Sequence, residues 1–241
     1  MKYGRGFYEG RTIDLLLGDD GIARATGGLP VDIGSVRFLP PSIPTKIVCV
    51  GRNYVEHAKE LGNAMPETPL LFLKPVSSLL GHGGTIRLTE QSSQIEYEGE
   101  IGVVIRSACH LIGPKEDPMA YVAGVTPLND VTARDLQKKD VQFTRAKSFD
   151  TFCPVGPWIV PVKDPSNLEV RTLLNGREVQ RGSASAMAFP IPEIVRFISS
   201  VMTLEPGDII ATGTPAGVGK LSPGDLISVE VAGVKLENRV G

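Results

Sequence analysis

The chain has 241 residues, enough to bury one large core with or without a small appendage, and its formal net charge of -2 excludes the basic footprint of a nucleic-acid binder. No run approaches the roughly 18 apolar residues of a membrane span, and Met1-Lys2-Tyr3-Gly4-Arg5 begins no signal-peptide stretch, so a cytoplasmic location without membrane partners is expected. With 27 Gly, 19 Pro and many short β-branched runs, the chain is predicted to be mainly β with few helices.

Residues 1–44 read as a small β-rich N-terminal domain. Residues 12–17 and 21–25 flank the turn signal Gly18-Asp19-Asp20-Gly21, which predicts a hairpin. Leu39-Pro40-Pro41-Ser42-Ile43-Pro44 is too proline-rich for a regular element and marks the boundary, leaving 45–241 as the larger domain. There, residues 46–51 form a short buried strand ending in Gly51. Asn53 and Glu56 have the spacing of a capping box and Gly62 suits a helix stop, so a helix of about two turns is expected between them. So short a helix has to be held by packing or by a ligand. His57 and Glu60 share one of its faces. They read either as an oriented general base or as ordinary polar residues of a short helix. Residues 70–75 form a strand closed by Pro75.

Residues 94–105 form an acidic strand running into an apolar one. Alternation puts Glu96, Glu98 and Glu100 on one face. Either this is a solvated edge, or a hard divalent cation such as Mg²⁺, Mn²⁺ or Ca²⁺ sits among the carboxylates. Residues 121–130 are a strand interrupted by Pro127 and ending on Asp130, and 131–139 a short helix with Arg134 and Gln137 one turn apart. Lys147 lies in a loop. Taken singly, Asp130 and Lys147 are also consistent with solvated charges. Cys49, Cys109 and Cys153 are odd in number and far apart, which suits a reducing compartment and gives neither disulfide framework nor zinc site.

Asn175-Gly176 joins residues 168–174 to 177–180 in a two-residue hairpin. Pro192 opens the one long helix, with Ile194, Val195, Ile198, Val201 and Met202 facing inward and Glu193, Arg196 and Ser199 outward. Residues 207–220 run from a strand into a glycine-rich loop. A P-loop is excluded, because Lys220 is followed by Leu221 and the first position is Thr214. What remains is a plain turn, or backbone amides and the Thr214 hydroxyl brought close to a small anion. Residues 225–231 and 234–236 close the sheet.

Six motifs, in order, resemble the fumarylacetoacetate hydrolase superfamily in its short acylpyruvase, oxaloacetate decarboxylase and 2-hydroxyhepta-2,4-diene-1,7-dioate isomerase-like branch. They are Val50-Gly51-Arg52-Asn53-Tyr54 with His57 and Glu60, Leu71-Phe72-Leu73-Lys74-Pro75, and Tyr97-Glu98-Gly99-Glu100-Ile101-Gly102-Val103-Val104. Asn129-Asp130-Val131-Thr132-Ala133-Arg134-Asp135, Ala146-Lys147-Ser148 and Thr212-Gly213-Thr214-Pro215 complete the set. The resemblance runs from about Lys46 to the C-terminus and implies a mixed β-sandwich roll, a catalytic domain over 45–241 and a homodimer.

It also implies Glu98, Glu100 and Asp130 as ligands of Mg²⁺ or Mn²⁺ (Ca²⁺ in crystals), and a His57–Glu60 general-base dyad on a mobile helix. Lys147 is implied as a catalytic cation, and Arg52, Gln137 and Thr214 as contacts to the 2-oxo-carboxylate end of a small 2-oxo acid. Glu96 falls outside that ligand set. The implied chemistry rests on a metal-stabilised enolate. C–C hydrolysis of acylpyruvates and decarboxylation of oxaloacetate come first. Isomerisation of 2-hydroxyhepta-2,4-diene-1,7-dioate, or a non-catalytic metabolite-binding protein, are the alternatives.

Overall fold

The structure, a computed structural model, describes residues 1–241. The chain is mainly β with a few helices. Its central five-stranded sheet runs, edge to edge, Val122–Asn129, Gly99–Ile105, Ile209–Ala211, Ile47–Gly51 and Leu70–Lys74. Neighbours are antiparallel except for the pair Ile209–Ala211 and Ile47–Gly51. A second five-stranded sheet contains Arg177–Ser183, Glu169–Leu174, Leu226–Val231, Val234–Val240 and Thr85–Ile86.

Inward-facing Val48, Ile101, Val103 and Val125 of the first sheet share one core with Val170, Val229 and Val231 of the second. Helix α4 (Ile191–Val201), the longest of four, adds Ile191, Ile194, Val195 and Ile198 to that core. The other three are α1 (Val55–Glu60), α2 (Arg134–Lys139) and α3 (Thr144–Lys147). All are too short to persist alone and depend on their contacts.

At the N-terminus the expected hairpin forms from Arg11–Leu17 and Ala23–Ala25. It is extended by Lys2–Tyr8, which pairs on its other side with Trp158–Ile159. The Asn175-Gly176 hairpin has both turn residues at positive φ, 52° and 81°, as a two-residue turn of matching twist requires.

Several local expectations change. The acidic strand is two strands, Ile95–Tyr97 and Gly99–Ile105, broken at Glu98 and belonging to different sheets. The strand Val122–Asn129 runs through Pro127 without interruption. It lies at the sheet edge, and the Pro127 carbonyl accepts from Gly156 on the side away from Gly99–Ile105, so the missing N–H costs no ladder bond. In α4, Ser199 faces inward, its hydroxyl accepting from Ile112 N at 3.2 Å, whereas Val201 is 55% exposed. Lys147 closes the single turn of α3 and is not in a loop.

Candidate active site

Sheet register assembles the acidic residues. Gly99 pairs with Asn129 across the antiparallel ladder, so Glu98, just before one strand, meets Asp130, just after the other. The Asp130 amide donates to the Glu98 carbonyl at 2.8 Å, and the Asn129 side chain accepts from Glu98 N at 2.9 Å. Glu100 is two residues along and points to the same side. On the other flank Gly102 pairs with Ala211, which brings Gly213 opposite Glu100, where its amide donates to the carboxylate at 2.7 Å. Gly99 is required between the two acids. A Cβ there would meet Thr172 Oγ1 at 1.9 Å.

The three carboxylates are buried and offer oxygens that all lie within 4.8 Å of one another. Three buried cations surround them. Lys147 Nζ donates to Glu98 at 2.8 Å and to Asp130 at 2.6 Å, while Lys74 Nζ donates to the second Asp130 oxygen at 2.6 Å. Arg134 donates to the second Glu98 oxygen and, through Nε, to Glu96 at 2.7 Å.

Burial raises the Glu98 carboxyl, but the Lys147 and Arg134 cations outweigh it and hold the group well below the usual carboxylate range. Burial lowers the Lys147 ammonium, and Asp130 and Glu98 more than restore it. Glu100 has no cationic partner. Burial, then Asp130 and Glu98, push it well above 4.5.

With all four ionised, the buried carboxylates Glu96, Glu98, Glu100 and Asp130 outnumber the buried cations Lys74, Arg134 and Lys147 by one. Glu100 is the carboxylate no cation answers, so its ionised form calls for added positive charge, and an all-oxygen donor set fits a hard divalent cation.

Above the triad is a cavity of about 170 Å³. His57, Arg52, Gln137, Lys147 and Thr214 line it with the three acids, as do Phe72 and Phe143. His57 sits on α1, which follows directly from the strand Ile47–Gly51, and its Nδ1 lies 3.3 Å from Glu60 Oε2. Glu60 does not line the cavity. Its carboxylate is held by the Gly217 amide at 3.1 Å. Arg52 sits at φ 56°, a sparsely populated conformation for a non-glycine residue, of the kind found at ligand clamps.

Gln137 Oε1 accepts from Arg134 Nη1 at 2.6 Å, which leaves the amide N–H groups for the cavity. The Thr214 hydroxyl is already committed, donating to Gly99 O at 2.8 Å and accepting from Gln180 at 2.9 Å. An anion contact at Thr214 therefore falls to the backbone. The structure thus gathers His57, Glu98, Glu100, Asp130, Lys147, Arg52, Gln137 and Thr214 around one space, with Glu60 behind His57. Lys74 and Arg134 are further site residues, present in the sequence motifs but given no role there.

The family model described as fumarylacetoacetate (FAA) hydrolase C-terminal matches residues 46–241. Oxaloacetate tautomerase YisK of Bacillus subtilis is 45% identical over 215 residues, covering 83% of this chain and 71% of that protein. Among solved structures, a 5-carboxymethyl-2-hydroxymuconate delta-isomerase from Mycobacterium smegmatis is 39% identical with a TM-score of 0.91, covering 100% of this chain and 98% of that one. A fumarylpyruvate hydrolase from Pseudomonas aeruginosa in complex with Mn²⁺ and pyruvate is 28% identical with a TM-score of 0.78, covering 83% and 90%.

Proposed function

The chain belongs to the fumarylacetoacetate hydrolase family of enzymes, and from that premise we propose that it is a divalent-metal-dependent enzyme acting on a small 2-oxo acid. Oxaloacetate is the first candidate, for keto–enol tautomerisation or decarboxylation. One observation carries this reading: a buried carboxylate triad, in which Glu100 has no cationic partner, lines a small cavity whose other polar groups are mostly donors.

Mg²⁺ or Mn²⁺ held by Glu98, Glu100 and Asp130 would supply the positive charge against which an enolate oxygen develops. Lys147, itself buried, adds a second cation beside it, where low exposure strengthens its charge. Arg52, the Gln137 amide and the backbone at Thr214 meet the carboxylate end of the substrate. His57, backed by Glu60, accepts or returns the proton that tautomerisation moves. In decarboxylation the electrons of the breaking C–C bond enter the enolate and no proton is needed until its quench.

Acylpyruvate hydrolysis is a second reading, favoured by His57 facing the cavity with Glu60 behind it. There the dyad takes a proton from water, whose oxygen adds to the distal carbonyl; the adjacent C–C bond then breaks, its electron pair becomes the pyruvate enolate, and that enolate takes the proton back while the acid leaves. The family resemblance supports a homodimer, and three buried free thiols suit a cytoplasmic location.

A panel of oxaloacetate, acetylpyruvate, fumarylpyruvate and 2-hydroxyhepta-2,4-diene-1,7-dioate, each with Mn²⁺ and with EDTA, tests the proposal. Turnover of at least one, abolished by EDTA, is expected. No turnover of any with Mn²⁺ present would favour a metabolite-binding protein. His57→Ala is expected to abolish hydrolysis and leave calorimetric Mn²⁺ binding intact; undiminished hydrolysis would remove the dyad from the mechanism.

A further inference from the structure

Glu96 is a buried carboxylate that neither joins the triad nor lines the cavity. It accepts from Gln94 Nε2 at 2.6 Å and from Arg134 Nε at 2.7 Å. Arg134 divides its donors among three acceptors: Nε to Glu96, Nη2 to Glu98 Oε1, and Nη1 to Gln137 Oε1. A guanidinium is a rigid planar fork, so fixing Nε fixes the directions of the other two nitrogens.

Two orientations follow. Glu98 is held by Oε1, which leaves Oε2 toward Lys147 and the triad. Gln137, which lines the cavity, is held by its carbonyl oxygen, so its N–H groups are not spent on Arg134.

We infer that Glu96 is a positioning residue which, acting through Arg134, orients both the Glu98 carboxylate and the Gln137 amide. This rests on the reading of the triad as a divalent-metal centre. The competing account is that Glu96 only supplies negative charge near the triad.

Calorimetric titration of Mn²⁺ separates the two. Outer partners of metal ligands typically contribute about 10–100-fold in affinity, and a loss of that order is expected for Glu96→Gln. Glu96→Asp keeps the charge but withdraws the carboxylate from Arg134 Nε, and it is expected to weaken binding in the same direction. In an Arg134→Lys background, which keeps the charge and removes the fork, Glu96→Gln is expected to cost little more.

At saturating Mn²⁺ the remaining defect of Glu96→Gln should fall on KM for oxaloacetate, through Gln137, with kcat largely restored. Parental Mn²⁺ affinity in Glu96→Asp, or a fully additive loss with Arg134→Lys, overturns the inference and leaves the metal reading standing. Absence of Mn²⁺ binding by the parent protein overturns both. Thermal melts check folding, and Glu96→Asp carries the test should Glu96→Gln not fold.

Discussion

Asp208 shows how much one side chain can hold. Its Oδ1 accepts from Thr45 N at 2.9 Å, Thr45 Oγ1 at 2.8 Å and Lys46 N at 3.1 Å, and Oδ2 accepts from Glu205 N at 2.8 Å and from the Lys46 ammonium. It therefore fastens the start of one central strand to the start of its parallel neighbour. Burial would raise this carboxyl, but Lys46 and the other donors leave it below 3.8. A depressed folded value stabilises the fold above the unfolded value, and that contribution is lost as pH falls through the folded one. Asp208→Asn is expected to cost about 1–3 kcal/mol at pH 7. In thermal melts run at decreasing pH, its gap from the parent should close below 3.8; a gap independent of pH would contradict this.

At the same scale, the sequence motifs contained the acids and His57, but not the way their charges are answered. Alternation showed that Glu98 and Glu100 share a face. Nothing local shows that Lys74, written like any strand-end lysine, is fully buried on Asp130, because that pairing joins residues 56 positions apart.

At the scale of elements, Asn53 is the instructive case. Its spacing to Glu56 is that of a capping box, yet α1 begins after Tyr54 with no side-chain cap. Asn53 instead donates to Thr212 O at 2.8 Å and Phe189 O at 3.1 Å, and accepts from Phe189 N at 2.8 Å. The same amide thus joins the root of α1 to the glycine-rich loop and to the approach of α4. Local spacing cannot distinguish a cap from such a long-range tie, since both need a short polar side chain at the head of a helix.

Asn53→Ala leaves buried backbone groups unmet, at about 1–3 kcal/mol each. It should lower Tm by roughly 2–4 °C per kcal/mol in a chain of this size, and an unchanged Tm would refute the tie. The break at Glu98 has a similar cause. A two-residue period was legible, but the change of sheet after Tyr97 depends on partners at Thr132–Ala133 and Gly219–Lys220.

For the molecule as a whole, the division into 1–44 and 45–241 remains our proposal, and the chain carries its own reporter for it. Trp158, the single tryptophan, is 7% exposed and packs edge-on against Phe38 with ring centroids 5.5 Å apart. It joins Leu15, Ala23 and Val31 of the N-terminal unit with Val234 from the second five-stranded sheet in one small core. If the N-terminal unit melts separately, Trp158 emission should shift to the red before the far-ultraviolet circular dichroism of the larger body is lost. Coincident transitions would make the chain one cooperative unit. The outline of strands, turns and one long helix was readable because each follows a local period. The mutual placement of the sheets was not, because it is set by contacts such as this one.

The stretch from Gly213 to Gly217 is anchored at both ends: one terminal amide is spent on Glu100 and the other on Glu60. The same five residues thus hold a carboxylate of the triad at one end and the partner of His57 at the other. A longer tether spliced between those glycines should slacken both moorings at once, leaving Glu60 less firmly set behind the imidazole.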